Sequence, residues 1–500
     1  MIALDGLSLS LAELVGVARS GATPTLAPSA RVAMARSHAW VQDTQSGTAA
    51  IYGINTGFGS LARVRIDPAD TSLLSRNLIR SHAAGVGDAC PPDVVRAMML
   101  LRANALARGA SGCRPLLVDT LCAMLAADVV PRIPKQGSCG SSGDLAPLSH
   151  LALVVFGEGG EVLAPTGTIG GLEAMAQAGL ATLTPQAKDG LAMTNGAQLT
   201  TAITALALHD ALVLLRTAER AAAMSIEALL GVTRAFHPAV HALRPHPGAI
   251  ETAAELLRHL RGSTLVDSMP DKVQDAYSLR CTPVVLGAAR DVLRYGQAVV
   301  EIELNSVTDN PVMLMDEPGE NHAFSAGLFH GEPVGIAADA MKVGVAELAS
   351  LSERRLYRLT TGSLSSRLPS ALAGADRPGL GMLVPQTTAA ALVSENKALA
   401  WPMSVDSIPT CEDQEDHVAM STTAAWRFWE VVQNSRRVVA VELLCASRAL
   451  RFRLQERPGV RLGEGAEEVL PLLEGLAAEN EVASDAIEAI AARIALGHFA

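Results

Sequence analysis

Gly137-Ser138-Cys139-Gly140-Ser141-Ser142-Gly143-Asp144-Leu145-Ala146-Pro147-Leu148-Ser149-His150 has two halves of opposite character. The first is nearly all Gly and Ser. The second turns apolar and continues through Leu151-Ala152-Leu153-Val154-Val155-Phe156. A loop of small residues therefore delivers its backbone to an apolar helix, with Asp144 placed to cap or begin it. Read plainly, the loop is a flexible linker before an N-cap. Read chemically, Ser141-Ser142-Gly143 can cyclise. The Gly143 nitrogen attacks the Ser141 carbonyl carbon, an approach that a residue without Cβ allows. Loss of two waters closes a five-membered ring and turns the Ser142 side chain into an exocyclic methylene. The product, 4-methylideneimidazol-5-one (MIO), is an electrophile. Ordinary side chains supply nucleophiles, acids and bases, but nothing comparable.

Outward from the loop the chain reads as helices. It is 49% hydrophobic but only 3% aromatic, rich in Ala and Leu, a composition suited to tightly packed helices and to burial between subunits. A net charge of -11 argues against nucleic acid and anionic membrane as partners. The start, Met1-Ile2-Ala3-Leu4-Asp5, lacks a positive n-region, and apolar runs such as Ala202 to Leu215 are broken by His209 and Asp210. Seven scattered cysteines with no paired metal spacing suit a reduced, cytoplasmic protein.

Helical patterns are expected near Leu11–Arg19, over Leu73–Arg80, from Asp93 (as cap) to Arg108, and over Pro115–Ala127. The glycine-rich stretch 157–171 suggests a small hairpin. Lys188-Asp189-Gly190-Leu191-Ala192-Met193-Thr194-Asn195-Gly196 precedes a long Ala/Leu/Thr-rich helix reaching about Ala223. The expected organisation is a mixed N-terminal domain over 1–190 that carries the loop, long helices over 191–453, and a C-terminal helical tail over 454–500 set off by Pro458, Gly459 and Gly463.

Further stretches carry residues suited to chemistry, each with a plainer reading. Tyr52-Gly53-Ile54-Asn55-Thr56-Gly57-Phe58-Gly59 is too glycine-rich for a stable helix and forms a loop in either case. His82, after a helix, is a capping residue in the plain reading. Asn195 can satisfy buried backbone groups. Arg280, in Tyr277-Ser278-Leu279-Arg280-Cys281, can form a surface ion pair. Phe329, in Phe329-His330-Gly331-Glu332-Pro333, can pack in a core. Gln414-Glu415-Asp416-His417 can be a charged helix face. His417 and Asp416 have no metal-ligand spacing, and neither a P-loop nor a dinucleotide fingerprint occurs, so no catalytic metal and no dissociable organic cofactor are expected.

Taken together, these stretches resemble the aromatic amino-acid ammonia-lyases, most closely the histidine-specific members, from about Tyr52 to about His417. The resemblance implies a mainly α fold with a long central helical bundle and a smaller mixed N-terminal domain, assembled as a homotetramer whose sites draw on several subunits. It implies that Ser141, Ser142 and Gly143 form MIO, and that Tyr52 is the catalytic acid or base with Tyr277 near the reacting centre. Asn195 and Arg280 would bind the substrate carboxylate, and a guanidinium fork suits that group better than a Lys. Phe329 would pack over the ring.

The pair Ser81-His82 looks like the histidine-specific version, as does Glu415, which stands where phenylalanine lyases carry an amide. A carboxylate accepts from an imidazole N–H; a benzene ring offers no donor. The implied reaction is elimination of ammonia from L-histidine to give trans-urocanate. Four positions depart from the family pattern: Ser141 for the usual Ala, Thr282 and Val284 for Gln, and Leu328 for Asn. They keep open another imidazole or aromatic substrate, an aminomutase outcome, or a non-catalytic binding paralogue.

Overall fold

Ser10 opens the first helix, Leu11–Ser20, with a reciprocal cap: its hydroxyl accepts from Glu13 N while the Glu13 carboxylate accepts from Ser10 N at 2.9 Å. The computed structural model describes residues 2–45, 51, 53–56, 65–67, 70–141, 143–374, 381–476 and 482–500. Tyr52 and Ser142 lie outside the described residues. Two compact units result, both discontinuous in sequence: Met1–Leu206 with Ala298–Ala338 and Pro402–Trp426, and Ala207–Gln297 with Asp339–Trp401 and Arg427–Ala500. The linear segments expected from the sequence follow chain order, whereas these units follow contacts.

In the first unit, Pro92–Ala107 is buried from Val94 to Ala107 and packs against Leu11–Ser20 and Pro115–Ala126. Its cap differs from expectation. Pro91 occupies the N-cap, and Asp93 sits in the first turn, 3.0 Å from Arg19. Thr71–His82 packs on Leu145–Val155 and Asp189–Thr194, so His82 ends its helix rather than following it. Strands are short and paired: Ile2–Leu4 with Pro24–Leu26, Val86–Ala89 with Pro134–Gln136, Glu161–Ala164 with Gly167–Gly170 (the expected hairpin), and Val312–Met313 with Ala323–Phe324.

Long helices dominate the rest: Gln198–Ala228, Thr282–Glu303, Glu332–Thr360 and Ser421–Glu456. Within the second unit polar bonds tie them into a bundle. Fully buried Glu442 accepts from Ser225 at 2.7 Å and from Arg355 Nη2 at 2.8 Å, and Glu219 accepts from Thr252 at 2.7 Å. A buried carboxylate is tolerable only when paired in this way. Gln198–Ala228 is long and apolar enough to cross a membrane, yet 83% of its most apolar window is buried inside the protein. It reads as a core helix.

Candidate active site

The loop is held by tertiary contacts, all within the first unit. Gly143 has φ +75°, and its backbone bridges Gly196; a Cβ on Gly143 would lie 2.2 Å from the Gly196 carbonyl oxygen. No side chain fits there. Gly140, at φ +70°, leaves equally little room against Ser421, and its carbonyl accepts from Gly331 N at 2.8 Å. The helices Leu145–Val155 and Gln198–Ala228 begin two residues after the bridged glycines, so two helix N-termini converge on the loop. Their exposed N–H groups and positive dipole ends favour negative charge at that point.

Asp144 anchors this junction. It stands at the N-cap position of Leu145–Val155 but makes no side-chain cap there. Instead Oδ2 accepts from Thr200 N at 2.9 Å, capping the neighbouring helix. Oδ1 accepts from the hydroxyls of Ser138 at 2.6 Å, Thr200 at 3.0 Å and Thr422 at 3.0 Å. Burial pushes its pKa up, and these four bonds oppose the shift.

Asn195 leads from this floor toward a buried polar lattice. Its Nδ2 donates to Asn310 O at 3.1 Å, while its Oδ1 is buried with no hydrogen-bond partner. Its main-chain carbonyl accepts from Arg102 Nη1 at 2.9 Å. Arg102 lies 3.8 Å from Asp309, which also pairs with Lys188 at 3.0 Å, all three fully buried. Sequence reading did not single out Arg102, Lys188 or Asp309. Arg102 stands out as a basic residue inside an apolar stretch, whereas Lys188 and Asp309 lie in polar turns, and none of the three signals names its partner.

The Ser141 hydroxyl is likewise buried without a partner. Two unsatisfied oxygens flanking a cradle that excludes any Cβ fit a planar ring formed from the backbone, so the residues present suit MIO.

His82 and Glu415 are brought together. The Glu415 carboxylate raises the His82 pKa, but burial outweighs it and the net shift is downward, so the imidazole is held neutral. Ser81 Oγ donates to Leu78 O at 3.0 Å and contacts His82 Nδ1 at 2.9 Å. Glu415 is not on a helix face. Cys411, Glu412 and Asp413 have positive φ, and Glu415 bridges back to Thr410, whose hydroxyl donates to Oε2 at 2.6 Å. Phe329 is half-buried in a turn closed by His330 N to Gly327 O at 3.1 Å. Leu328 beside it is exposed.

Tyr277 and Arg280 belong to the second unit. They start and end the short helix Tyr277–Arg280, with the guanidinium 4.8 Å from the Tyr277 ring centroid and Nε donating to Asp275 O at 2.9 Å. Tyr277 is 71% exposed. Thr282 is fully buried and donates to Ser278 O at 3.0 Å, so the hydroxyl serves its helix. Val284 is exposed.

A mainly helical fold with a backbone-built cradle defines a class. The aromatic amino acid lyase family model matches residues 9–474, and the chain belongs to that family. A histidine ammonia-lyase of Gloeobacter violaceus is 45% identical over 99% of this chain and 96% of its own length. Among solved structures, histidine ammonia-lyase from Trypanosoma cruzi is 36% identical with a TM-score of 0.91, covering 100% of this chain and 94% of that one. Tyrosine aminomutase from Streptomyces globisporus is 32% identical with a TM-score of 0.93, covering 100% and 97%.

Proposed function

We propose that the chain is a cytoplasmic homotetrameric carbon–nitrogen lyase that eliminates ammonia from L-histidine to give trans-urocanate, using MIO formed from Ser141-Ser142-Gly143. The observation that carries the substrate is His82 beside Glu415. They are far apart in sequence yet within electrostatic reach, and the carboxylate offers an acceptor to an imidazole N–H. Relatives named histidine ammonia-lyase, 44–48% identical to this chain, support the same reading.

MIO would supply an electrophilic methylene that makes the substrate amine a better leaving group. The protein's own residues do the rest. Tyr52 Oη takes the β-proton. Arg280 and the second N–H of Asn195 Nδ2, whose first donates to Asn310 O, position the carboxylate, with Tyr277 beside them. Glu415 accepts from the imidazole N–H, His82 orients the ring beside it, and Phe329 packs against the reacting centre. Fixing proton, carbon and nitrogen in line is worth several orders of magnitude in rate. The converging helix ends at Gly143 and Gly196 stabilise negative charge that develops on the loop.

The test is incubation with L-histidine while following urocanate absorbance, alongside the intact mass. Activity with a mass two waters below the sequence value is expected; full activity at unmodified mass overturns the MIO assignment. Glu415→Ala loses a charge-assisted bond of about 1.5–3 kcal/mol, roughly ten- to a hundred-fold in kcat/KM for histidine, with a smaller loss for phenylalanine. A wild type that prefers phenylalanine, with Glu415→Ala leaving that preference unchanged, refutes the imidazole reading.

Exposed Leu328 next to Phe329 favours a second reading, an aminomutase or a lyase for another imidazole or aromatic amino acid. A substrate panel with product identification separates the two.

A further inference from the structure

His330, Glu332 and His417 form the one group of three metal-ligating side chains among the described residues, their donor atoms all within 4.8 Å of one another. Spacing along the chain does not reveal it, because Glu332 and His417 are 85 positions apart. The fold closes that distance. The two imidazole rings stack with centroids 5.6 Å apart and planes at 23°. His330 Nε2 lies 3.3 Å from the His417 carbonyl oxygen. Glu332 begins the helix Glu332–Thr360, and its Oε2 is buried with no hydrogen-bond partner. A buried, unpaired carboxylate oxygen beside two imidazoles is a group that a cation satisfies.

We propose that His330, Glu332 and His417 bind a divalent cation of the zinc class. Two nitrogens and one carboxylate are the ligand set of a three-residue zinc site, with a fourth tetrahedral position for water. Magnesium and calcium prefer all-oxygen sets and fit poorly. The role follows from chain position. His330 directly follows Phe329, and His417 lies two residues after Glu415. A cation held by both histidines ties the turn carrying Phe329 to the turn carrying Glu415. It acts as a clamp on the imidazole end of the pocket and touches no reacting atom. That role rests on the proposed substrate site; the binding itself does not.

The experiment uses the full-length enzyme, stripped with chelator and titrated with Co²⁺ as the spectroscopic probe. One Co²⁺ per chain is expected, with visible d–d absorption displaced by Zn²⁺ but not by Mg²⁺. Zn²⁺ should also raise the thermal midpoint. Glu332→Gln and, separately, His417→Gln should each weaken binding more than about tenfold and abolish the thermal shift. Two variants guard against one that misfolds. Absence of stoichiometric binding, or equal affinity in both folded variants, overturns the proposal. Histidine turnover measured in parallel keeps this result separate from the substrate assignment.

Discussion

Ser141 is where this chain departs from its family at the heart of the loop, and its hydroxyl is buried with nothing to bond. An unsatisfied buried hydroxyl costs about 1–3 kcal/mol, while the methyl of Ala carries no such penalty. Ser141→Ala should therefore raise the thermal midpoint, by an amount on the order of 1 kcal/mol in stability, and still lose two waters. A lower midpoint would show that the hydroxyl serves the loop.

His259 gives a residue-scale prediction with a definite sign. Burial and the neighbouring Arg258 and Arg220 push its pKa down to about 4. The folded state therefore binds fewer protons than the unfolded chain between about pH 4 and 6.5. Its stabilising contribution is fully present above about 6.5 and is lost as pH falls toward 4. The difference in thermal midpoint between wild type and His259→Gln should thus shrink from pH 7 to pH 5. A constant difference would exclude this residue as a source of acid sensitivity.

At the scale of elements, Asp144 joins two helices that sequence treats separately. Asp144→Ala leaves the Ser138, Thr200 and Thr422 hydroxyls and the Thr200 N–H short of an acceptor. The expected loss exceeds about 3 kcal/mol, summed over several charged bonds at 1.5–3 each. Chain that still folds should retain its full unmodified mass. A variant near wild-type stability that loses two waters would contradict the anchoring role.

The same residue marks how far the sequence is legible. Gly and Ser before an apolar run located the loop, and Asp144 was placed at a helix start. That its carboxylate caps a different helix was invisible, because periodicity reports each element alone. The Pro92–Ala107 helix was found but its cap misplaced by two residues, since Pro92 at the first helical position carries the start signal as well as Asp93 does. Resemblance to the family singles out Glu415 but gives no sign of the turn that carries it. Three consecutive positive φ values at ordinary side chains are imposed by tertiary context and leave no local signature. Arg102, Lys188 and Asp309 needed the fold for the same reason.

For the whole molecule, the proposed site calls on Arg280 and Tyr277, and Tyr277 is exposed on its own chain. If a second copy supplies Arg280, Ser142→Ala and Arg280→Ala chains, each inactive alone, should regain activity when co-expressed. Random mixing restores roughly a quarter of sites, the product of two independent halves, in a symmetric assembly. Co-purified but fully inactive mixtures would confine each site to one chain.

The contacts that shape the loop also impose an order on biosynthesis. Ser138 and Asp144 are held by Thr422, and Gly140 is clasped by Gly331. A nascent chain that has exposed residue 143 to solvent still has nearly three hundred residues to translate before Thr422 emerges. Until then the loop has Gly196 and Thr200 beside it but lacks the Thr422 hydroxyl that joins Ser138 to Asp144. The proposed maturation therefore waits for most of the chain to be made, which keeps an armed electrophile away from the thiols and amines of the cell during the greater part of synthesis.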